Sequence, residues 1–465
     1  MLRLPNILFV LADDMGYGDF SCFNGGLSST PVLDQLVAEG TTLTHHYSAS
    51  PVCAPARASL LTGRYPHRTG AIDTLEGRGL DRIALDETTV ADLLRPAGYV
   101  TGLIGKWHNG AFDHRFHPNQ RGFDEFAGFR GGWSDYWHWR LDRNGAMSNP
   151  DGRHLTDVLT DEAREFITRH RHEPFFLHLA YSAPHFPLQS HPHDAAPFLA
   201  TGEHTTAVAN LYGMVHGMDR GIGDILGHLD TLGILDDTLV VFSSDNGPQF
   251  SGDGDASTTR YNCGYRGAKL LVYEGGIRLP AVVRWPYGIA AGATIDHLVH
   301  FTDWLPTLLA VAGADLPRDL VLDGVDVLPL LRGEGEAASV PTTRFWQWNR
   351  YDPVPSCNAA MREGPWKLVH PALPEAMEVA PADLARDVQM KYAHDDTAGL
   401  TTTPPPGRAF AEPPPPPQLF DLSADPFEAD DLAATEPGRV ATMAAALGTW
   451  FEEVETDRRR RAPHR

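Results

Sequence analysis

Residues 6–14, NILFVLADD, form an apolar run that ends in two carboxylates, Asp13 and Asp14. A short apolar run bounded by polar residues is typical of a buried strand. Similar runs recur along the chain, and amphipathic stretches lie between them. The runs predict strands at 6–12, 98–105, 174–181, 238–243 and 279–285. This alternation predicts an α/β fold, in which a large mixed, mostly parallel sheet is flanked by helices.

Helices are predicted between the strands from apolar periodicity and from capping residues. The clearest covers 31–39, with Thr30 as N-cap, Pro31 in the first turn and Gly40 as C-cap. The other helices are predicted at 88–95, 156–170, 205–232 and 304–312.

The character of the chain changes after Gly333. Tryptophan is frequent at 345–348, and the proline-rich segment 403–417 predicts a surface loop. We therefore divide the chain into a large α/β domain, 1–335, and a smaller C-terminal α+β domain, 336–465. The smaller domain is predicted to contain the proline-rich loop and to end in a helix at 440–454.

The composition excludes several classes of function. The 465 residues carry a formal charge of −22, so no basic face for nucleic acid is expected. No stretch approaches the roughly 18 apolar residues that a membrane span needs. Four scattered cysteines give neither a disulfide framework nor a zinc-binding Cys-x-x-Cys pair. No secretory signal is visible, so we expect a cytoplasmic location, or a periplasmic or secreted one if the sequence is trimmed.

Polar side chains follow four of the predicted strands, and ligands collect beyond the carboxyl ends of strands in open α/β sheets. These side chains are Asp13 and Asp14, Lys106 and His108, His185, and Asp245 and Asn246. Carboxylate and amide oxygens are the donors that Ca²⁺ or Mg²⁺ prefers. A single aspartate after a strand is often only a turn or helix cap. Two such clusters at equivalent strand ends favour a metal site built from Asp13, Asp14, Asp245 and Asn246.

Residues 53–57, CAPAR, lie at the start of a predicted helix that Pro55 opens and Gly63 closes. Arg57 follows Cys53 by one helical turn, so the helix amino terminus and a guanidinium both face an anion at Cys53. The alternative is a buried thiol that packs as a small apolar residue. Only four of the 38 basic residues are lysine, and these include Lys106 and Lys269. A retained lysine indicates either a point-charge or proton-transfer role that arginine does not fill, or a compositional bias that left a few lysines by chance.

The pentapeptide at 53–57 resembles the signature of the type I sulfatases of the alkaline-phosphatase superfamily, in which this cysteine is converted to Cα-formylglycine. The other segments that resemble this family are 6–16, 105–108, 183–185, 244–247, 267–280, 364–368 and 418–426. The resemblance implies an alkaline-phosphatase-like fold and hydrolysis of a carbohydrate or aryl sulfate ester. Ala56 and Asn109 depart from the family pattern, which has serine and leucine more often there. Asn109 is expected either to contact substrate or to fill a plain turn or surface role.

The resemblance also implies roles for the predicted site residues. The four oxygen donors hold Ca²⁺, with Mg²⁺ as the alternative, and hydrated formylglycine at position 53 attacks the sulfur. Arg57, Lys106 and Lys269 stabilise the negative charge. His185 protonates the leaving alcohol with Lys269 as a second candidate, and His108 accepts the proton of the second hydroxyl. The implied partners are a sulfated small molecule or saccharide as substrate and a formylglycine-generating enzyme for maturation.

Other functions share these residues. A phosphonate monoester hydrolase or phosphodiesterase of the same superfamily uses the same aldehyde, and an N-sulfamidase cleaves nitrogen–sulfur bonds with the same machinery. A non-catalytic sulfated-glycan binding protein, in which Cys53 stays a thiol, is the remote alternative. The charge of −22 favours a small or terminal sulfate group over a long polyanion. The aromatic residues at 133–139, with Trp346 and Trp348, suit a sugar or aryl ring but are more typical of a core or an interdomain seam.

Overall fold

The computed structural model describes residues 4–250, 257–334, 340–392 and 413–461. Within these ranges the strands form a large sheet and a small one. The large sheet contains β1 (Asn6–Ala12), β2 (Thr41–Tyr47), β3 (Val100–Lys106), β4 (Glu125–Phe129), β5 (Leu141–Arg143), β6 (Ala146–Ser148), β7 (Phe175–Ala180), β8 (Thr238–Ser244), β9 (Arg278–Leu279), β10 (Ala281–Arg284) and β11 (Thr294–His300). The small sheet contains β12 (Thr343–Gln347), β13 (Ala359–Glu363), β14 (Trp366–His370) and β15 (Gln418–Asp421).

Helices cover both faces of the large sheet. The α-helices of the described residues are α1 (Ser21–Asn24), α2 (Pro31–Glu39), α3 (Cys53–Thr62), α4 (Pro66–Thr69), α5 (Val90–Leu94), α6 (Leu155–His170), α7 (Pro192–Thr201), α8 (Thr206–Thr231), α9 (Glu274–Ile277), α10 (Trp304–Val311), α11 (Leu328–Leu331), α12 (Pro374–Met377), α13 (Pro381–Tyr392) and α14 (Pro437–Arg461). One layer contains α2, α6 and α8, and the other contains α3, α5 and α10. Within the described residues, none of the helices combines the length and apolar character needed to cross a membrane.

The centre of the large sheet consists of five parallel strands in the order β8-β1-β7-β3-β4. Parallel strands covered on both faces are apolar throughout, because successive side chains enter opposite cores. In β1, Ile7 and Phe9 join the core on one face, and Leu8 and Val10 join the core on the other. The antiparallel pairs lie outside this centre, where β10 joins β8 to β2 and where β5 pairs with β4 and β6. The predicted fold class is therefore confirmed.

Several predicted elements need correction in detail. The strand predicted at 279–285 is two strands, β9 and β10, separated by Pro280, which has no amide to donate. Both pair antiparallel with their neighbours. Thr30 does precede α2, but its hydroxyl donates to Asp34 at 2.9 Å instead of accepting from a helix amide. Helix α14 extends beyond the predicted 440–454 at both ends.

The small sheet is antiparallel, in the order β12-β13-β14-β15, and packs against α14. Trp346 and Trp348 are both buried, and the indole of Trp346 donates to the carbonyl of Ser48 at 2.7 Å. Trp346 therefore lies at the seam between the two sheets, and Trp348 is buried in the core. The predicted boundary between 335 and 336 and residues 403–412 of the proline-rich loop lie outside the described residues. The division into two domains stays a prediction.

Candidate active site

The metal ligands predicted from the sequence lie together beyond the ends of the adjacent strands β1 and β8. The backbone amide of Asp14 donates to Asp245 Oδ1 at 3.2 Å, and Asn246 Nδ2 donates to Asp14 Oδ1 at 2.7 Å. Asp14 occupies the left-handed region with φ of 66°, which turns the chain sharply after β1. Asp13, Asp14, Asp245 and Asn246 are each at most 1% exposed. The register of two neighbouring parallel strands thus brings residues more than 230 positions apart into one cluster.

The chemistry of this cluster fits a divalent cation. Oδ1 of Asp13 and Oδ1 of Asn246 are buried and accept no hydrogen bond from any described residue. Buried oxygens without a partner cost free energy unless another ligand satisfies them. Burial raises the pKa of Asp13 well above its usual range, with Asp245 and Asp14 adding to the effect and Lys106 opposing it. A bound dication would satisfy both oxygens and favour the ionised carboxylate.

Three cations surround the carboxylates. Lys106 Nζ lies 2.6 Å from Asp13 Oδ2, and Lys269 Nζ lies 2.7 Å from Asp14 Oδ2. Arg57 Nη2 lies 2.7 Å from Asp245 Oδ2 and 3.8 Å from Asp13 Oδ1. Burial alone would raise the pKa of Asp14 and lower that of Lys269. Their mutual attraction outweighs burial and shifts both pKa values the other way, so the pair is ionised.

Cys53 is the first residue of α3 and is 3% exposed. The helix ends at Gly63, which adopts a left-handed φ of 68° as its C-cap, as the sequence predicts. The side chain of Cys53 lines a cavity of ≈ 380 Å³, into which the amino terminus of α3 opens. A group at Cys53 therefore lies at a helix terminus that favours negative charge.

The two predicted histidines also line this cavity, which we call the Cys53 cavity. His185 Nδ1 donates to the carbonyl of Phe186 at 2.7 Å, so Nε2 carries the lone pair and lies 3.7 Å from Asp14 Oδ2. His108 Nε2 lies 3.3 Å from the carbonyl of Thr74. Burial and the nearby Lys106 together lower the pKa of His108 to about 3, and burial lowers the pKa of His185 well below its usual value. Both imidazoles are therefore neutral in the free site.

The structure separates the predicted catalytic residues into two groups. Cys53, His108, His185 and Lys269 line the Cys53 cavity, whereas Arg57 and Lys106 are in contact with the carboxylates and do not appear in its lining. Asn109, for which substrate contact was one of two expectations, is fully buried and donates to the carbonyl of Ala54 at 2.9 Å. Its role is to hold the first turn of α3 in place.

Some site residues had no signal in the sequence. Glu76 is buried 3.8 Å from His108 Nε2 and accepts from the backbone amide of Gly132 at 2.5 Å. Gln249 Oε1 accepts from Lys269 Nζ at 3.2 Å. Glu76 neither follows a predicted strand nor belongs to a recognisable motif, and Gln249 lies two residues beyond the segment 244–247, so only the folded chain reveals their roles. Of the aromatic residues at 133–139, Trp133 lines the Cys53 cavity, whereas Tyr136 and Trp139 belong to the core.

Comparison with known proteins identifies the family of this chain. The family model described as Sulfatase matches residues 5–314, more than half of the chain. The chain belongs to the sulfatase family. A second model, described as N-sulphoglucosamine sulphohydrolase, C-terminal, matches residues 265–396. The sulfatase is therefore a hydrolase of sulfate esters, and its family uses a formylglycine and a divalent metal.

Individual relatives support the same assignment. Steryl-sulfatase of Mus musculus is 33% identical over 423 residues, which cover 72% of this chain and 66% of that protein. N-acetylgalactosamine-6-sulfatase of Homo sapiens is 36% identical over 396 residues, covering 74% of this chain and 72% of that protein. The solved structure of Ps i-CgsB in complex with k-i-k-neocarrahexaose is 30% identical with a TM-score of 0.79, covering 96% of this chain and 93% of that chain.

Proposed function

We propose that this sulfatase removes sulfate from a sulfated saccharide, with a formylglycine made from Cys53 as nucleophile and Ca²⁺ as resident metal. The observation that carries the proposal is the position of Cys53 at the start of α3, in a cavity also lined by Lys269, which contacts Asp14 of the oxygen-donor cluster at 2.7 Å. Two buried oxygens of that cluster, on Asp13 and Asn246, have no hydrogen-bond partner among the described residues. A thiol with a purely structural role would require neither the cavity nor these oxygens.

The formylglycine and the metal ion supply complementary chemistry. Hydrated formylglycine offers one hydroxyl for attack on sulfur and a second for release of sulfate. Ca²⁺ held by Asp13, Asp14, Asp245 and Asn246 would polarise the sulfate oxygens and the attacking hydroxyl. Ca²⁺ is favoured over softer metals because all four side chains offer oxygen. A formylglycine-generating enzyme in the host is the implied partner for maturation.

The cations divide into positioning and contacting groups. Arg57 and Lys106 hold Asp245 and Asp13 at 2.7 and 2.6 Å, so their contribution is to orient the carboxylates. Lys269 both contacts Asp14 and lines the Cys53 cavity, so its ammonium is placed to bind a sulfate oxygen. Such preorganised charge stabilises a transition state without reorganisation during the reaction.

Protons move through the residues that line the cavity. The leaving alkoxide needs a proton, and His185 Nε2 lies in the same region as the ammonium of Lys269, since both contact Asp14 Oδ2. We infer that the ammonium of Lys269 donates this proton, because Nδ1 of His185 donates to the carbonyl of Phe186 and its Nε2 carries a lone pair. The role predicted for His185 therefore passes to Lys269, the second candidate. His108 is neutral because burial lowers its pKa to about 3, so its imidazole accepts the proton of the second hydroxyl.

The saccharide is favoured by the walls of the cavity. Trp133 and Phe186 lie with ring centroids 5.9 Å apart and both line the Cys53 cavity. Aromatic faces of this kind suit a sugar ring. The volume of ≈ 380 Å³ is at the lower end of the range for small-molecule sites. One relative is named for a sulfated amino sugar and a related structure holds a carrageenan oligosaccharide, which agrees with this substrate class.

A second candidate is an N-sulfamidase. The specific observation in its favour is the match of residues 265–396 to the C-terminal model of N-sulphoglucosamine sulphohydrolase. The matched region includes Lys269, which supplies a cation to the cavity in either reaction. Glucosamine 6-O-sulfate and glucosamine N-sulfate, assayed separately by sulfate release, distinguish the two activities.

The proposal is tested by combining mass spectrometry with an aryl sulfate assay on protein from the native host. We expect the tryptic peptide that contains Cys53 to have the mass of the aldehyde, and a chelator to abolish turnover until Ca²⁺ is restored. Cys53→Ala should abolish turnover while the far-ultraviolet circular dichroism spectrum stays unchanged. An active enzyme whose Cys53 is an unmodified thiol, or an active Cys53→Ala variant, would refute the mechanism.

A further inference from the structure

One wall of the Cys53 cavity comes from the C-terminal part of the chain. Helix α13 (Pro381–Tyr392) contributes Leu384 and Asp387, which lie three residues apart and therefore on one face of the helix. Leu384 remains 55% exposed, so this part of α13 forms the rim of the cavity. The sugar attached to a sulfate at Cys53 must extend past this wall.

Helix α13 is fixed over the cavity by one residue with two partners. Asp383 accepts from Arg78 Nε at 3.0 Å and from the hydroxyl of Tyr351 at 2.7 Å. The same hydroxyl accepts from the backbone amide of Ala380 at 3.0 Å, just before the helix begins. These bonds leave the helix little freedom to turn, so the side chains on its cavity face have defined positions.

Asp387 differs from the other acidic groups near the cavity. Its Oδ1 is buried and has no hydrogen-bond partner within the described ranges of the chain. The nearby cation is engaged elsewhere, because Arg350 Nη1 donates to Asp73 at 2.9 Å and to Thr74 at 2.7 Å. Burial raises the pKa of Asp387 to about 7, an effect that Arg350 opposes and that Asp81, Asp73 and Cys53 increase. Asp387 is part of the cavity lining, so a ligand bound there can supply the hydrogen bond that its buried oxygen lacks.

Other polar residues in the lining already bond within the protein, since Arg350 donates to Thr74 and Gln249 accepts from Lys269. Trp133, Phe186 and Leu384 provide apolar surface, and Lys269 is paired with Asp14 at the sulfate end. A sugar bound with its ring on the aromatic wall would therefore present its hydroxyl or amino groups to Asp387. An ammonium group would gain an ion pair there, and a second anionic group would meet a like charge.

We propose that Asp387 is a specificity-determining residue, which accepts hydrogen bonds from the leaving group and selects neutral or cationic sugars over sugars with a second anion. This inference rests on the proposed sulfatase reaction and identifies the leaving group as the part of the substrate that Asp387 recognises. It assigns α13 to substrate recognition, whereas the chemistry resides at the strand ends. It predicts that monosulfated and amino sugars are better substrates than disulfated or uronate-containing ones.

The test uses aryl sulfates that share one ring and differ in the para substituent: aminomethyl, hydroxymethyl and carboxylate. Wild type and Asp387→Asn are compared by kcat/KM at about pH 8, where the carboxyl is ionised. Effects of the substituent on intrinsic reactivity cancel in the ratio of wild type to variant. We expect the preference for the aminomethyl over the carboxylate substrate to fall by about 10-fold or more in the variant. The hydroxymethyl substrate should change by less than about 3-fold, because asparagine still accepts a hydrogen bond.

Asp230→Asn is the matched control, since it removes the same charge from an exposed position on α8 that does not line the cavity. It should leave every ratio unchanged. An unchanged preference in Asp387→Asn, with wild type active, would overturn the role of Asp387 and leave the sulfatase mechanism standing. Wild type without activity on any aryl sulfate would instead contradict the proposed function. If Asp387→Asn misfolds, Asp387→Ser provides the same loss of charge with a smaller side chain, and the same outcomes apply.

Discussion

The strongest stability prediction concerns Lys367, which joins the two sheets through a fully buried charge cluster. Its Nζ on β14 lies 2.8 Å from Glu274 Oε1 on α9 and 2.9 Å from Glu428 Oε1. Burial alone would raise the pKa of Glu274, but Lys367 outweighs it and lowers that pKa to about 2. Burial raises the pKa of Glu428 to about 7, since one lysine serves two carboxyls. We therefore choose Lys367→Met, which keeps the length of the side chain and removes the charge.

The expected loss in the free energy of unfolding depends on the two buried carboxyls that remain when Lys367 is replaced. Loss of one partner of a buried ion pair costs about 3–5 kcal/mol, because the remaining charge has no compensation. Glu274 keeps a hydrogen bond from the hydroxyl of Tyr47 at 2.6 Å, and Arg278 lies 3.7 Å away. Glu428 can take up a proton near neutral pH. These compensations put the expected loss in the free energy of unfolding at about 3 kcal/mol, the lower end of that range.

The assay is equilibrium urea unfolding at neutral pH, followed by tryptophan fluorescence and by circular dichroism. The double variant Lys367→Met/Glu428→Gln removes one of the two uncompensated carboxyls, so it should regain about half of the loss. If Lys367→Met unfolds within about 1 kcal/mol of wild type, the cluster does not stabilise the seam and the reasoning is wrong.

Two further predictions concern turnover and pH. His108→Ala should accumulate a sulfated enzyme, because the second hydroxyl loses its base, and mass spectrometry without this adduct would contradict the role of His108. Asp219 accepts from the backbone amides of Val32 and Leu33 at 3.1 and 2.8 Å, and burial raises its pKa from 3.8 to about 6. The folded state therefore binds the proton of the Asp219 carboxyl more tightly than the unfolded state does. This proton stabilises the folded state fully below the unfolded pKa, and the stabilisation is lost as pH rises through about 6. Relative to Asp219→Asn, wild type should lose about 1 kcal/mol of stability from about pH 5 to about pH 7, measured by urea unfolding; a constant difference would show that the pKa is not raised.

The parallel centre of the sheet could be predicted because burial on both faces leaves a continuous apolar run. β1 and β8 are such strands, and every residue in them is buried. β2 could not be predicted in the same way, because its sequence TTLTHHY mixes polar and apolar residues and only part of it is buried. Polar strands of this kind are specified by the neighbours they pair with, here β10 and β11, and not by their own pattern.

The residues of the candidate site also differ in whether the sequence predicts their position. Asp13, Asp14 and Asp245 could be predicted to meet, because each directly follows a recognisable strand of one parallel sheet. Asp387 lies on α13, an exposed helix whose sequence gives no sign of a cavity nearby. Its position depends on how the C-terminal part of the chain packs against the loop that contains Arg78. Long-range packing of that kind has no local signature in the sequence.

The distribution of charge explains how a chain with a net charge of −22 binds an anionic substrate. At the sulfate end of the Cys53 cavity, three carboxylates are matched by three cations, Arg57, Lys106 and Lys269, so their charges cancel. A bound Ca²⁺ therefore leaves that end with an excess of about two positive charges, reinforced by the amino terminus of α3. Asp387 on α13 adds a carboxyl group to the lining of the same cavity. Under the proposed function, a sulfated sugar would be attracted with its sulfate toward Cys53 and its hydroxyl groups toward α13, which is the orientation that the reaction requires.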